Sequence, residues 1–148
     1  RWFGNHGRER APQPDFAFER ALVQALVAVF SKRLVLAAHD VSLGGLLVTV
    51  AEMAIASAPF DVGAKIDLGG ASAAACFAEM GGIVVEVSDG SWEECAAVLA
   101  RHSVPFLEIG RTIEAPALHV GTKAGSFTVT NQELRLAHAG RLAEILYG

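Results

Sequence analysis

The sequence predicts a single layered α+β domain in which helices cover a mixed β-sheet. Segments with helical spacing of apolar residues alternate along the chain with short apolar or alternating segments typical of strands. The 148 residues, 52% hydrophobic and 19% charged, have the length and composition of one globular domain. The composition therefore excludes a disordered chain, and a core of this size needs no disulfide scaffold.

The first half of the chain is predicted to form a linker followed by helix, strand, helix and strand. Residues 1–13 are rich in Gly, Pro and Arg, which indicates a linker from a preceding domain, and Arg1 in place of Met suggests a piece of a longer protein. Helical spacing of apolar residues predicts a helix over 14–33, and an apolar run predicts a buried strand at 34–38. Helical spacing resumes at 46–55, and the residues at 61–67 alternate as in a half-buried strand.

The second half is predicted to continue the alternation of helices and strands to the end of the domain, 14–148. The predicted elements are a short helix at 72–79, strands at 83–87, 106–109, 118–120 and 126–129, and helices at 91–101 and 130–146. Ser91 with Glu94, and Thr130 with Glu133, have the spacing of capping boxes, so each pair predicts a helix start.

Charge and cysteine content narrow the functional classes. Twelve Lys and Arg against 16 Asp and Glu give a net charge of −4, so the basic surface of a nucleic-acid-binding protein is missing. No apolar run is long enough to span a bilayer. Cys76 and Cys95 lack the spacing of a metal site, which favours core positions and a reducing, cytoplasmic compartment.

The segment at 39–45 carries the strongest signal for a binding site. It places an imidazole, a carboxylate, a hydroxyl and two glycines at a predicted strand-to-helix turn. The N-terminus of the following helix favours an anion such as phosphate, and Gly44 and Gly45 would let a ligand approach the backbone. Asp40 could hold Mg²⁺ or orient His39, which could act as a general base.

A structural interpretation of the same residues stays open. Ser42 would cap the helix, Gly44 and Gly45 would permit tight packing, and His39 would form a structural pair with Asp40. On composition alone this interpretation is favoured about two to one, because motif matches without structural context are usually false positives.

Other polar residues have simpler explanations. The remaining histidines share no ligand spacing, and we interpret them as surface residues: His6, His102, His119 and His138. Asp61 and Asp67 are predicted to be solvated charges on the polar face of a strand. The sequence contains no Walker A loop, GxSxG or HExxH motif.

Several segments resemble the C-terminal region of the phosphoribosylformylglycinamidine synthase family. Residues 38–46 followed by 51–54 are similar to that family's "AHDVSDGGL…AEM" signature. The segments 77–79 with 83–87, 104–110 and 131–143 resemble its "FSES…RFVVEV", "VP…IG.V" and "LSLEELREAW" stretches, in the same order. The resemblance covers the chain from about residue 14 to its end.

The resemblance implies a domain like the C-terminal domain of AIR synthase, the last of four in a synthetase. The family converts formylglycinamide ribonucleotide, ATP and glutamine-derived ammonia to formylglycinamidine ribonucleotide in purine synthesis, with Mg²⁺. The implied partners are the remaining synthetase domains, a glutaminase subunit or domain and a second copy of the chain; neither nucleic acid nor membrane is expected. The family's catalytic and metal motifs precede this region, so this chain is expected to be inactive alone and to hold no catalytic or metal-binding residue. Its candidate phosphate-binding residues are His39, Asp40, Ser42, Gly44 and Gly45.

The sequence departs from the family pattern at two places, and two alternative functions stay open. Leu43 stands where the family often has an acidic residue, and Gly81-Gly82 stand where an arginine and its neighbours are expected. The alternatives are a non-catalytic interaction or dimerisation domain and a sister enzyme of the AIR synthase superfamily. A phosphate at the turn would favour the synthetase, whereas a large exposed apolar face would favour the interaction domain.

Overall fold

The structure is a computed structural model, and it describes residues 15–57, 60–69, 76–79, 81–122 and 124–147. Its elements, in chain order, are α1 (Phe16–Ser31), β1 (Val35–Asp40), α2 (Gly45–Ala56), β2 (Gly63–Asp67), β3 (Ile83–Val87), α3 (Trp92–Arg101), β4 (Gly110–Ile113), β5 (Ala117–Thr122), β6 (Gly125–Thr130) and α4 (Asn131–Tyr147). The predicted linker over 1–13 and the first half of the predicted helix, residues 72–75, lie outside the described residues. Within the described ranges, no helix combines the length and apolarity required to cross a bilayer.

The described strands form two sheets. One is the antiparallel pair of β1 and β3, in which His39 faces Val84. The other has the order β4-β2-β5-β6, with β2 and β5 parallel and the other neighbours antiparallel. The predicted α+β class with a mixed sheet is therefore confirmed, with the strands divided between two sheets.

Two apolar clusters hold these layers together. The first joins α1 to α3, mainly through Ala25, Val29 and Val98, and the second packs α2 against the four-stranded sheet. Cys95 belongs to the first cluster and Cys76 to the second, as predicted. Burial raises the pKa of the Cys95 thiol, which keeps it protonated and poorly reactive.

The predicted strand over 106–109 is wrong. Strand β4 begins only at Gly110, which pairs with Ile66, and the backbone N–H of Asp67 donates to the carbonyl oxygen of Ile109. Because β2 ends at Asp67, the residues before Ile109 have no strand of this sheet beside them. The Phe106 ring packs edge-on against Trp92 instead, with centroids 5.8 Å apart.

One of the two predicted capping boxes is confirmed. The backbone N–H of Thr130 donates to Glu133 Oε2 at 2.8 Å, and the N–H of Glu133 donates to Thr130 Oγ1 at 3.2 Å. At α3 the predicted start is confirmed, since Ser91 is the N-cap residue, but the predicted capping bond is wrong because Ser91 makes no side-chain capping bond. A single 3₁₀ turn precedes α3, and there the Ser91 hydroxyl accepts a hydrogen bond from Ser88 at 3.0 Å.

Asp61 was predicted to be a solvated strand residue, but it precedes β2 and binds α4. Its Oδ1 accepts hydrogen bonds from Arg135 Nη2 at 2.6 Å and from Asn131 Nδ2 at 2.9 Å. These bonds, that from Arg135 first, lower the pKa of the Asp61 carboxyl. The contact fixes the start of α4 beside the start of β2.

The lowered pKa of Asp61 predicts an acid-sensitive stability. A carboxyl whose folded pKa is depressed contributes stability above its unfolded pKa of about 3.9, and this is lost as the pH falls through the folded pKa. We therefore expect the melting temperature to fall below about pH 4, and Asp61→Asn to remove part of that fall. Asparagine tolerates the φ of 51° found at this position.

Thermal melts between pH 3 and pH 7 check this expectation. The pKa of Glu133 is also lowered, by its bonds from Thr130, so Glu133→Gln serves as a second, independent variant. Parallel melting curves for wild type and Asp61→Asn across this range would show that the Asp61 contact contributes nothing to acid sensitivity.

Candidate functional site

The predicted site residues lie at a strand-to-helix turn, as the sequence predicts. Strand β1 ends at Asp40, α2 begins at Gly45, and the described segment 76–79 passes over the N-terminus of α2. The buried hydroxyl of Thr49 lies 3.2 Å from the carbonyl oxygens of both Asp40 and Gly45. Thr49 thus ties the end of β1 to the first turn of α2.

His39 is held between two carboxylates. Its Nδ1 lies 2.8 Å from the carbonyl oxygen of Asp40 and 3.4 Å from Asp40 Oδ1, and its Nε2 lies 3.5 Å from Glu52 Oε2. Because a carbonyl oxygen only accepts, Nδ1 carries a proton and donates. The predicted pairing of His39 with Asp40 is therefore present, and Glu52 lies within ion-pair distance of the opposite edge of the ring and forms an ion pair with it when that ring is protonated.

Sequence reasoning missed Glu52 as a partner of His39. The signal was present, because Glu52 is the only charged residue in α2. A carboxylate on an otherwise apolar, half-buried helix usually has a polar partner. The partner could not be identified from the sequence, because β1 and α2 meet only through the fold.

The backbone donor at the start of α2 already has an anionic partner. The N–H of Gly44 donates to Glu79 Oε1 at 3.1 Å, and the N–H of Gly45 donates to the carbonyl oxygen of Ser42 at 3.0 Å. The positive end of the helix favours a carboxylate at this position for the same reason that it favours phosphate. Glu79 therefore occupies the place in which the sequence predicted a phosphate contact.

The two glycines are required by packing as well as by conformation. Gly44 and Gly45 have φ values of 83° and 72°, in the left-handed region. A Cβ at Gly45 would lie 2.6 Å from the carbonyl carbon of Phe77 and 2.8 Å from the carbonyl oxygen of Ala78. The packing interpretation of Gly45 thus has a direct structural basis.

Ser42 does not cap α2, so that interpretation is wrong. The N-cap residue is Gly44, which has no side chain to cap the helix. Ser42 contributes its carbonyl oxygen, which accepts a hydrogen bond from the N–H of Gly45. Ser42 is exposed, as are Asp40 and Leu43. The Ser42 hydroxyl is consequently an accessible donor at the surface of the turn.

An open groove of about 320 Å³ lies beside the turn, between α1 and the β1–β3 sheet. His39 and Asp40 form its polar end, and its other lining residues are Leu26, Phe30, Ala38 and Ile83. In the part of the chain that the structure describes, no three His, Cys, Asp or Glu side chains are placed to hold a metal ion. The groove is therefore lined mainly by apolar side chains, and the titratable side chains of His39 and Asp40 lie at one end of it.

The three other histidines that the structure describes do not join this site. His119 lies on β5, with Nδ1 2.8 Å from Thr128 Oγ1. His102 follows α3 and His138 lies on α4, while His6 is outside the described residues.

The sequence matches, over residues 1–123, the protein family described as AIR synthase related protein, C-terminal domain. Curated relatives include phosphoribosylformylglycinamidine synthase subunit PurL of Thermobifida fusca, 33% identical over 90% of this chain and 17% of the relative. The subunits of Rhizobium meliloti and Chlorobium luteolum are 38% and 31% identical over 90% and 98% of the chain. The chain spans only 17–20% of the length of these relatives.

Solved structures show the same fold. Thermotoga maritima PurL complexed with ATP has a TM-score of 0.69 at 20% identity, covering 78% of this chain and 21% of that one. PurLQS from Thermotoga maritima has a TM-score of 0.73 at 19% identity, covering 88% and 24%. The expected domain class is thereby confirmed.

Proposed function

The chain belongs to the family of AIR synthase related proteins, C-terminal domain, and we propose that it forms the C-terminal domain of a phosphoribosylformylglycinamidine synthase. The observation that carries this proposal is the similarity to PurL subunits over 90–98% of the chain. The whole enzyme would be an ATP-dependent amidoligase that converts formylglycinamide ribonucleotide and glutamine-derived ammonia to formylglycinamidine ribonucleotide. Its other synthetase domains, joined through residues 1–13, and a glutaminase subunit or domain would be the partners.

We further propose that the turn at 39–45 borders the phosphate of a bound nucleotide or substrate. Because Gly44 N–H is engaged by Glu79, the exposed Ser42 hydroxyl is the donor best placed to meet a phosphate oxygen. Asp40, Glu52 and Glu79 put negative charge around the turn, and His39 is the group among them that can carry a positive charge. His39 would then be a positioning residue whose positive charge offsets the negative charge of these carboxylates.

Mg²⁺ would act with ATP in the whole enzyme. The described residues of this chain do not fit a metal site, since they provide no cluster of three ligands. We therefore expect the chain to contribute shape and hydrogen bonds, and no metal ligand, to an active site that other domains complete.

Substitutions at the turn test this function in the parent synthetase, by which we mean the longer polypeptide that the proposal implies. We expect Ser42→Ala to raise the KM for ATP or formylglycinamide ribonucleotide about 10- to 100-fold, as for one lost hydrogen bond to a charged group. His39→Ala leaves the carboxylates at the turn without compensation, and Asp40→Ala removes a side-chain partner of the His39 ring, so both are expected to lower kcat/KM by at least a similar factor. The measurement is steady-state formation of formylglycinamidine ribonucleotide with ammonia as the nitrogen donor.

Ser126→Ala on β6 and His138→Ala on α4 are matched controls, because both side chains are exposed and remote in sequence from the turn. They should leave the kinetics unchanged. Wild-type kinetics in all three turn variants would contradict ligand contact at the turn. A parent chain that forms no amidine product with ATP would contradict the proposed activity itself.

A further inference from the structure

Helix α1 is apolar on two opposite faces. One face carries Ala25 and Val29, which are buried against α3. On the other face lie Phe16, Val23, Val27 and Phe30, with 78%, 57%, 59% and 47% of their surface exposed. A helix with apolar side chains on opposite faces is typical of a position buried in a larger structure, because exposed apolar side chains of this size lose the stabilisation that burial would give.

The exposed face has the spacing of a helix-packing seam. Phe16, Val23 and Phe30 recur every seven residues, and Arg20 and Val27 lie four residues after Phe16 and Val23. This alternation of four and three residues is the pattern by which one helix packs lengthwise on another. We call these five residues the α1 seam.

The side chains along one flank of the seam are small or uncharged: Ala17, Gln24 and Ser31. They permit another helix to approach closely. Arg20, in the middle of the seam, is the position at which that helix would present an acidic residue.

The α1 seam is continuous with the candidate site. Phe30 lines the groove that ends at His39 and Asp40, and Leu36 on the outer face of β1 is 66% exposed. The β1–β3 sheet has only two strands in the described part of the chain, and isolated two-stranded sheets are marginally stable. A neighbour that covered the seam would therefore also support the strand that carries His39.

We infer that the α1 seam is the docking surface for an amphipathic helix supplied by the part of the parent synthetase outside these 148 residues. This inference rests on the proposed function. The chain spans 17–20% of the length of its curated relatives, so about four-fifths of such a polypeptide is available to cover it. Covalent linkage supplies this helix at a high effective concentration.

The size of the seam favours an intramolecular helix over a second copy of the chain. From Phe16 to Phe30 the seam is about 21 Å long and about 10 Å wide, the footprint of one helix. Stable complexes between separate proteins usually bury about 800 Å² on each partner, which is several times this footprint.

Cysteine labelling tests the inference. Val23→Cys places a thiol in the seam, and Glu93→Cys places a control thiol on the exposed surface of α3. Both are introduced into the 148-residue chain and into the parent synthetase, and labelling by a maleimide is followed peptide by peptide with mass spectrometry. Cys95, which is 1% exposed, reports in each sample that the domain is folded, since it should react only after denaturation.

We expect the thiol at position 23 to react at least tenfold more slowly in the parent than in the 148-residue chain, while the thiol at position 93 changes less. Equal rates at position 23 in the two proteins, or equal slowing at both positions, would overturn the inference. Another outcome is that the thiol at position 23 of the 148-residue chain reacts more slowly as the concentration of that chain rises, until it reaches the rate in the parent. That result would overturn the intramolecular helix and identify a second copy of the chain as the occupant of the seam. These readouts need no catalysis, so they are separable from a failure of the proposed activity.

Discussion

Replacing Gly45 by alanine is expected to destabilise the domain by about 2–5 kcal/mol and to abolish the activity of the parent synthetase. A left-handed backbone conformation costs a non-glycine residue about 1–2 kcal/mol, and an overpacked atom adds about 1–3 kcal/mol. The new Cβ would lie 2.6 Å from the Phe77 backbone, where no flexible side chain can move away. Segment 76–79 must then shift, and the bond from Gly44 N–H to Glu79 is lost with it. Denaturant unfolding measures the first effect, and amidine formation measures the second.

Gly69→Ala is the matched control for this prediction. Gly69 also has a left-handed φ, of 52°, but a Cβ there would meet nothing within 4 Å. Its replacement should therefore cost only the conformational term of about 1–2 kcal/mol. Equal losses in the two variants would show that the contact between α2 and segment 76–79 does not constrain the turn.

This contact also marks the limit of what the sequence can predict about the site. The spacing of residues 39–45 correctly predicts a strand-to-helix turn with two glycines. It leaves open whether the glycines admit a ligand or a neighbouring segment, because Phe77 and Glu79 approach the turn from more than 30 residues away. Glu52 approaches His39 across the same kind of non-local contact.

Local signals predicted the elements well where the element depends on its own residues. Apolar periodicity located α1 and α2, and the box of Thr130 and Glu133 located the start of α4. The predicted strand over 106–109 was wrong because a strand also needs a partner, and β2 ends at Asp67. Pairing partners depend on topology, which a local pattern does not contain.

Asn131→Asp is expected to destabilise the domain by about 3–5 kcal/mol at neutral pH, a large part of the 5–15 kcal/mol typical of whole domains. Asn131 is completely buried, and its amide nitrogen donates to Asp61 Oδ1 at 2.9 Å and to the carbonyl oxygen of Val62 at 3.0 Å. Aspartate has the same shape but would direct an ionised oxygen at these two acceptors. Denaturant unfolding of the variant and wild type at pH 7 measures the loss.

The pH dependence of the free energy of unfolding distinguishes the effect of the buried charge from the effect of losing the Asn131 amide. Asn131→Ala removes the donor without adding a charge, so it should cost about 1–3 kcal/mol and respond little to pH. The deficit of Asn131→Asp should instead shrink as the pH falls, because a protonated carboxyl can donate to Asp61 Oδ1 again. Equal deficits for the two variants at pH 7, with no pH dependence in either, would mean that the buried charge is accommodated. Asn131 would then stabilise the contact between α4 and β2 through its packing and not through its hydrogen bonds.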